Sequence, residues 1–324
     1  MKKRLLSCII ISIFILSGCQ NISDQFLSYT DTKTLDEFKI DNDLSTQTND
    51  FFAKDLALIS IDETPDTDAE LTSQSTLLVN VTDNEVVYQN NVYEQLFPAS
   101  LTKLLTALVV LKNAELTDSV TISYNASHIQ ESGAKTCGFK EGDVISLDAL
   151  LHCLLVYSGN DAGIAIAEHV GGSEEAFAEM MNDEAASIGA THSNFVNSHG
   201  LHDELHYTTA YDLYLIFNEL IQSDKFLSII NMSSFTAIYQ DYTGKEKQNV
   251  FKTTDWFLDG NAEAPEGVTI LGGKTGTTYK AGNCLILLSQ NTEGTKYISV
   301  ILKAESNDLI YAQMSHLLSK TLGN

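Results

Sequence analysis

Pro98-Ala-Ser-Leu-Thr-Lys-Leu-Leu-Thr-Ala107 is the stretch on which the fold of this chain turns. From residue 101 to 114 apolar side chains recur at helical spacing, so a helix begins here with Ser100 at its start. Ser100 and Lys103 are three residues apart, which puts a hydroxyl and an amine on one helical face. A helix N-terminus carries partial positive charge and free amide hydrogens, which suit a developing oxyanion. A neutral lysine beside the serine can take its proton. Alone the pattern is weak. Ser132-Gly-Ala-Lys135 repeats it in a glycine-containing stretch with no apolar helix behind it.

Upstream of that helix, residues 76–81 and 86–88 flank Thr82-Asp-Asn-Glu85 and read as a hairpin. Downstream, 147–157 and 162–170 read as buried helices broken at Ser158-Gly159-Asn160. Ser173 caps a helix over 174–188 that Gly189 stops, and 209–221 is one more. The period then changes: 268–273, 284–289 and 297–303 look like strands, before a last helix over about 308–322. Strands at both ends with helices between them predict an α+β layout, one sheet closed by early and late strands.

Two further motifs carry chemistry. Ser158-Gly159-Asn160 offers a hydroxyl to relay a proton and an amide to hold a peptide carbonyl. It is also a common helix-linking turn, and Ser123-Tyr-Asn125 and Ser289-Gln-Asn291 match it too. Lys274-Thr275-Gly276-Thr277 occurs once, on a predicted strand after Gly272-Gly273. Glycine lets a substrate backbone approach the strand, and the lysine and threonines can receive a carboxylate.

In combination these motifs say more than each does singly. A serine–lysine, serine–asparagine and lysine–threonine–glycine set in this order belongs to β-lactamases and penicillin-binding proteins. The flanks Ser158-Gly-Asn-Asp-Ala162, Gly273-Lys-Thr-Gly-Thr-Thr278, Asn197-Ser-His-Gly-Leu201 and Thr208-Thr-Ala-Tyr-Asp212 resemble the low-molecular-mass D-alanyl-D-alanine carboxypeptidases. The resemblance runs from about Ser73 to the C-terminus. It implies a penicillin-binding protein/β-lactamase-like transpeptidase fold: an antiparallel sheet flanked by helices, with an all-helical subdomain. Ser100 would then attack the D-Ala-D-Ala carbonyl, Lys103 would be its base, and Ser158 would pass the proton to the leaving amine. Asn160 would hold a substrate amide or Lys103. Lys274, Thr275, Gly276 and Thr277 would bind the terminal carboxylate, with an oxyanion hole from the amides of Ser100 and Thr277. Stem peptides of peptidoglycan and β-lactams are the implied partners, and no cofactor or metal is implied. Relatives often carry a further β-rich domain and a membrane-lying amphipathic helix, and both are expected to be missing here. Where they have an Asp-x-Gly turn, this chain has Asp83-Asn84-Glu85.

The N-terminus bears on compartment. Lys2, Lys3 and Arg4 precede an apolar run over 5–16, the pattern of an export signal. Leu16-Ser17-Gly18-Cys19 resembles the bacterial lipobox, which implies cleavage before Cys19 and a diacylglyceryl group on its sulfur. Two acyl chains anchor stably. The expected organisation is a lipoprotein signal peptide over 1–18, a lipid-attached acidic linker over 19–72 and a catalytic domain over 73–324, held on the extracytoplasmic face of a bacterial cell membrane. Between 20 and 72, Asp and Glu occur 13 times against Lys33, Lys39 and Lys54. Phe51-Phe52 and Leu56-Ala-Leu-Ile-Ser60 are the exceptions, able to dock on the domain. A net charge of −24 speaks against nucleic acid as a partner. Of five cysteines, Cys137, Cys153 and Cys284 remain in the mature body, an odd number that allows one bridge at most.

Three rival readings have distinct signatures. A class A β-lactamase needs a deacylating glutamate in Glu-x-x-Leu-Asn, and the chain has no such stretch. A zinc peptidase would draw on His199, His202, Asp203 and His206. Against it, His199 falls in a structural loop of the serine family, and His202 and His206 are expected at the surface of that loop. A β-lactam receptor would need a membrane span joined to a cytoplasmic output.

Overall fold

The computed structural model describes residues 56–323. The expected signal peptide, Cys19 and the linker as far as residue 55 lie outside the described residues. Ordered packing begins well before Ser73. Ala57 is fully buried, its N–H donating to the Tyr214 hydroxyl (2.9 Å) and its carbonyl accepting from the Tyr211 hydroxyl (3.0 Å). The Tyr93 hydroxyl donates to the Ile59 carbonyl (2.6 Å), and the Asp66 carboxylate accepts from Gln89 N–H (2.9 Å). Leu71 is buried against the last helix of the chain. Acidic composition made this segment read as solvated linker. Several of its acids are instead hydrogen-bond acceptors for the domain.

β1 (Ser75–Asn80) and β2 (Glu85–Asn90) form the anticipated hairpin. Asn84 takes φ 59° in the turn, a conformation that asparagine tolerates. A 3-10 turn over Ala99–Leu101 leads into α1 (Thr102–Asn113). Leu104, Leu105, Leu108 and Val109 are all buried, so α1 is apolar on every side and runs through the core. Short β3 (Ser119–Thr121), α2 (Tyr124–Ser127) and β4 (Val144–Ser146) follow. α3 (Leu147–His152) continues as one π-helical stretch over Cys153–Tyr157, and Ser158-Gly159 separates it from α4 (Asn160–Gly171). α5 (Glu174–Ser187) has Ser173 as its N-cap, accepting from Ala176 N–H, and α6 (Ala210–Leu220) is capped in the same way by Thr209. Helices α4, α5 and α6 pack around α1.

After α7 (Asp224–Ile230) come β5 (Ser234–Gln240) and β6 (Glu246–Lys252), a long hairpin, and α8 (Trp256–Asp259). β7 (Val268–Thr278), β8 (Gly282–Asn291) and β9 (Lys296–Ala304) lead to α9 (Asn307–Ser319). The main sheet has the order β2-β1-β9-β8-β7, antiparallel throughout, so early and late strands do close one sheet. β8 is apolar from Cys284 to Leu288, where both faces are covered. Ile286 and Leu288 face the helical core, whereas Leu285 and Leu287 pack under α9 with Met314 and Leu317. Burying each such side chain contributes about 1.5–3 kcal/mol. A second sheet, β3-β4-β5-β6, borders the helical half. The sequence reading did not place it.

Candidate active site

Ser100 sits in the tight turn before α1, between two walls. Ala99, just ahead of it, is held at φ 48°, a left-handed conformation that costs a non-glycine residue about 1–3 kcal/mol. What holds it is Gly200, from the Asn197–Leu201 stretch. A Cβ on Gly200 would lie 1.8 Å from the Ala99 carbonyl oxygen, so only glycine fits there. The same stretch is tied to α1 by Thr106, whose hydroxyl donates to the Ser198 carbonyl (2.6 Å). The nucleophile turn is thus braced from outside its own helix.

Lys103 is fully buried, with Nζ 3.0 Å from Ser100 Oγ. Its Nζ also donates to Asn160 Oδ1 (2.7 Å) and to the His199 carbonyl. Burial pushes Lys103 down to about 7, opposed by the nearby Asp161 carboxylate and assisted by the Lys135 cation. The two carbonyl oxygens can only accept, so they take two N–H bonds of a neutral amine. The third direction, towards Ser100 Oγ, carries an N–H in the protonated amine and the lone pair in the neutral one. Near neutral pH Lys103 therefore holds a substantial neutral fraction, with its Nζ beside Ser100 Oγ.

The π-helical turn and the left-handed Ser158 (φ 70°) present Ser158 Oγ to the cleft. Lys274 Nζ donates to that oxygen (2.9 Å) and to the Thr275 carbonyl (2.9 Å). Lys274 is buried, and burial together with the charge of Lys103 holds it well below its ordinary value. Asn160 is fixed by its N–H, which donates to the Lys135 carbonyl (2.8 Å). Asp161, whose part the sequence reading missed, is 1% exposed and accepts from the amides of Cys137 (2.9 Å), Gly138 (2.9 Å) and Ala162 (3.0 Å). It joins the serine–asparagine turn to the loop at 135–139.

The opposite wall is β7. Its approach depends on Gly276, where a Cβ would stand 2.9 Å from the Pro98 carbonyl and 3.0 Å from Ser100 N. Thr275 Oγ1 lies 2.6 Å from Thr254 Oγ1, and the exposed Thr277 hydroxyl donates to Asn283 Oδ1 (3.2 Å). The cleft between the walls has a volume of about 220 Å3. Larger grooves of about 720 and 680 Å3 lie beside Lys112 and beside Glu168, away from Ser100. Sequence reasoning missed Thr254, Trp256 and Tyr311, which also line the cleft. Trp256 and Tyr311 stack at 4.9 Å and 9°, and Trp256 N–H donates to the Tyr311 hydroxyl (2.9 Å). Trp256 is the only tryptophan in the chain, the one signal that could have drawn attention to it. All the motif residues, Ser100, Lys103, Ser158, Asn160, Lys274, Thr275, Gly276 and Thr277, belong to these two walls.

His206 corrects an expectation. It is 2% exposed rather than at the surface: Nδ1 accepts from Val196 N–H (3.1 Å), leaving the Nε2 hydrogen for Thr102 Oγ1 (2.7 Å). Burial pushes it down to about 3, so it is neutral. Thr102 in turn donates to the Ala99 carbonyl (2.8 Å), which makes His206 a buttress of the nucleophile turn. His199 Nε2 faces Glu174 (3.4 Å) and His202 Nε2 faces Glu204 (3.2 Å), so each of the three imidazoles has its own protein partner.

The fold is that of the DD-transpeptidases. A Streptomyces DD-transpeptidase superposes with a TM-score of 0.72 at 24% identity, over 80% of this chain and 98% of that one. The D-alanyl-D-alanine carboxypeptidase DacD of Francisella tularensis gives 0.69 at 24% identity, over 82% and 74%. Residues 61–306 match the D-alanyl-D-alanine carboxypeptidase family of peptidases, and the chain belongs to it. Similar relatives include the D-alanyl-D-alanine carboxypeptidases DacF of Bacillus subtilis (29% identical, 76% of this chain) and DacC of Escherichia coli (32%, 79% of this chain). The chain spans 61% and 62% of the length of those two relatives.

Proposed function

We propose that this protein is a serine D,D-carboxypeptidase that removes the terminal D-alanine from peptidoglycan stem peptides through an acyl-enzyme at Ser100. The observation that carries the proposal is the Lys103 amine, buried, fixed by two carbonyl acceptors and turned to Ser100 Oγ at 3.0 Å. The Ser100 proton passes to Lys103 as Oγ bonds to the carbonyl carbon of the penultimate D-alanine. The amides of Ser100 and Thr277 hold the oxyanion. As the C–N bond breaks, the leaving amine takes a proton by way of Ser158, and free D-alanine departs. Water then attacks the ester and restores Ser100. Lys274, Thr275 and Thr277 receive the substrate's terminal carboxylate, which fits the lysine on β7 having no acid within 4.0 Å among the described residues. A penicillin carries a comparable carboxylate and amide, so it acylates the same serine and stays.

The chain is read as exported and held at the outer face of the membrane by a lipid on Cys19. That reading is supported by the lipobox-like Leu16-Ser17-Gly18-Cys19. A Cys19→Ala variant is expected to leave the membrane fraction.

The test is D-alanine release from an acyl-L-Lys-D-Ala-D-Ala peptide by the chain from Asn21 onward. Steady release that is lost in Ser100→Ala and indifferent to a chelator is the expected result. Loss to the chelator with Ser100→Ala still active would overturn the serine mechanism. One relative is named an endopeptidase and one structural neighbour a transpeptidase. Cross-linked peptides and amine acceptors therefore belong in the same assay.

A further inference from the structure

Arg4 is the only arginine in the chain, so any side-chain cation that meets a substrate carboxylate in the folded body is a lysine. Three lysines are involved at the nucleophile. Lys103 is occupied by Ser100, Asn160 and His199, and Lys274 by Ser158 and the Thr275 carbonyl. Lys135 is different. It is exposed, it lines the same cavity as Ser100, Ser158 and Thr275, and it takes part in none of the ion pairs among the described residues. Its Nζ lies 4.3 Å from the centroid of the Tyr157 ring. Its charge is close enough to push both Lys103 and Lys274 down.

Its position is set by the catalytic motifs themselves. The Lys135 carbonyl accepts from Asn160 N–H, and Asp161 holds the amides of Cys137 and Gly138 just beyond it. A chain with a net charge of −24 has thus kept an uncompensated cation at the mouth of its catalytic cleft. Such a cation favours an anionic ligand and repels a cationic one. The terminal carboxylate of the substrate is already assigned to Lys274 and its threonines, on the strand wall. Lys135 stands on the other wall, next to Asn160, whose Oδ1 accepts from Lys103 Nζ.

We propose that Lys135 is a second carboxylate receptor, reading the side chain of the residue that precedes D-Ala-D-Ala. The enzyme then prefers stem peptides whose third residue is a diamino diacid over those in which it is lysine. The inference deepens the carboxypeptidase reading and rests on it. Lysine and diaminopimelate differ at their side-chain end by one carboxylate, so the pair isolates the contact.

The experiment compares kcat/KM for acyl-L-Lys-D-Ala-D-Ala and its diaminopimelate counterpart, using the wild type, Lys135→Ala and Lys135→Glu. A preference of about ten-fold for the diacid is expected in the wild type, falling to about two-fold in Lys135→Ala and reversing in Lys135→Glu. A wild-type ratio near one would overturn the proposal. So would equal losses on both peptides, because an effect passing only through Lys103 leaves the ratio unchanged. Acylation by benzylpenicillin and by its α-carboxy derivative runs alongside. It should show the same Lys135-dependent ratio even if peptide turnover is not observed. Acylation in which that ratio too ignores Lys135 would reject the second receptor while leaving the nucleophile intact.

Discussion

The two walls of the cleft are built on different principles. On the helical wall, Lys103, Asn160 and Asp161 are buried, and each is held by main-chain groups or by one another. On the strand wall, Thr277 is exposed, Trp256 and Thr275 are half-buried, and the buried Asp255 has one carboxylate oxygen without a partner. In the proposed mechanism the first wall makes a base by desolvation, which requires that nothing be loose. The second would receive the ligand, in keeping with its unused hydrogen-bonding capacity. Chemistry is therefore expected to be intolerant of change on one side of Ser100, and recognition adjustable on the other.

The largest expected effect is on the helical wall. Lys103→Ala should slow acylation by a fluorescent penicillin by about 10²–10⁴-fold. Lys103→Arg should do no better, because a guanidinium stays protonated. With Lys103 pushed down to about 7, the wild-type rate should be low where the amine is protonated, rise through about pH 7 and level above it. Both variants should lack that limb. A full acylation rate in Lys103→Ala would remove the base from this wall and the contrast with it.

A smaller effect is expected where the walls meet. Gly276→Ala places a methyl 2.9 Å from the Pro98 carbonyl and 3.0 Å from Ser100 N, so strand and nucleophile must separate. Misplacement on the order of 1 Å costs about 10²-fold in rate. Rapid-quench acylation should show the loss in the bond-forming step, beside a stability cost of about 1–3 kcal/mol from overpacking. An unaffected rate would mean that the close approach of β7 is not needed.

The smallest effect concerns stability on the strand wall. Burial pushes the Asp255 carboxyl up to about 6 from its ordinary value of 3.8. A carboxyl raised in the folded state binds its proton more tightly folded than unfolded. Its contribution is thus fullest at low pH and declines as pH climbs from about 4 towards 6. Asp255→Asn keeps a side-chain acceptor for Phe257 N–H and removes the titration. Relative to wild type it should gain on the order of 2 kcal/mol between pH 4 and pH 7 in denaturant titrations. A pH-independent difference would show that Asp255 is ionised at no unusual cost, making the strand wall as well satisfied as the helical one.

Much of this was legible in the sequence, for identifiable reasons. The buried helices and main-sheet strands are long apolar segments with one dominant period, and the three motifs interrupt them at their ends. The hairpin of β5 and β6 was not legible. Ile238 and Val250 point to solvent while Phe235, Ala237, Tyr239 and Phe251 turn towards the core, so apolar residues lie on both faces and the alternation that marks a strand is lost. Residues 56–72 were hidden by their acids, whose partners Gln89, His316 and Lys320 are far away in the chain. In the site, the motif residues announced themselves by spacing. Thr254, Trp256 and Tyr311 did not, because a loop and α9 bring them to β7 only in three dimensions. His206 was misplaced for a related reason. A histidine in a polar loop looks exposed until the fold sets Val196 and Thr102 against its two nitrogens.

The strand order has a consequence for how the molecule comes into being. β9 lies between β1 and β8, with Leu77 opposite Val300 and Leu287 opposite Ser299. The first hairpin has no place in the sheet until the chain has been made as far as residue 304, and pairings so distant in sequence form slowly. Ser100 is synthesised early, but the strand carrying Lys274 joins the sheet only through β8, which pairs with that late strand. A nascent or truncated chain should therefore be blind to β-lactams. Reactivity towards penicillin then serves as a clock for folding, registering the moment at which the last strand arrives.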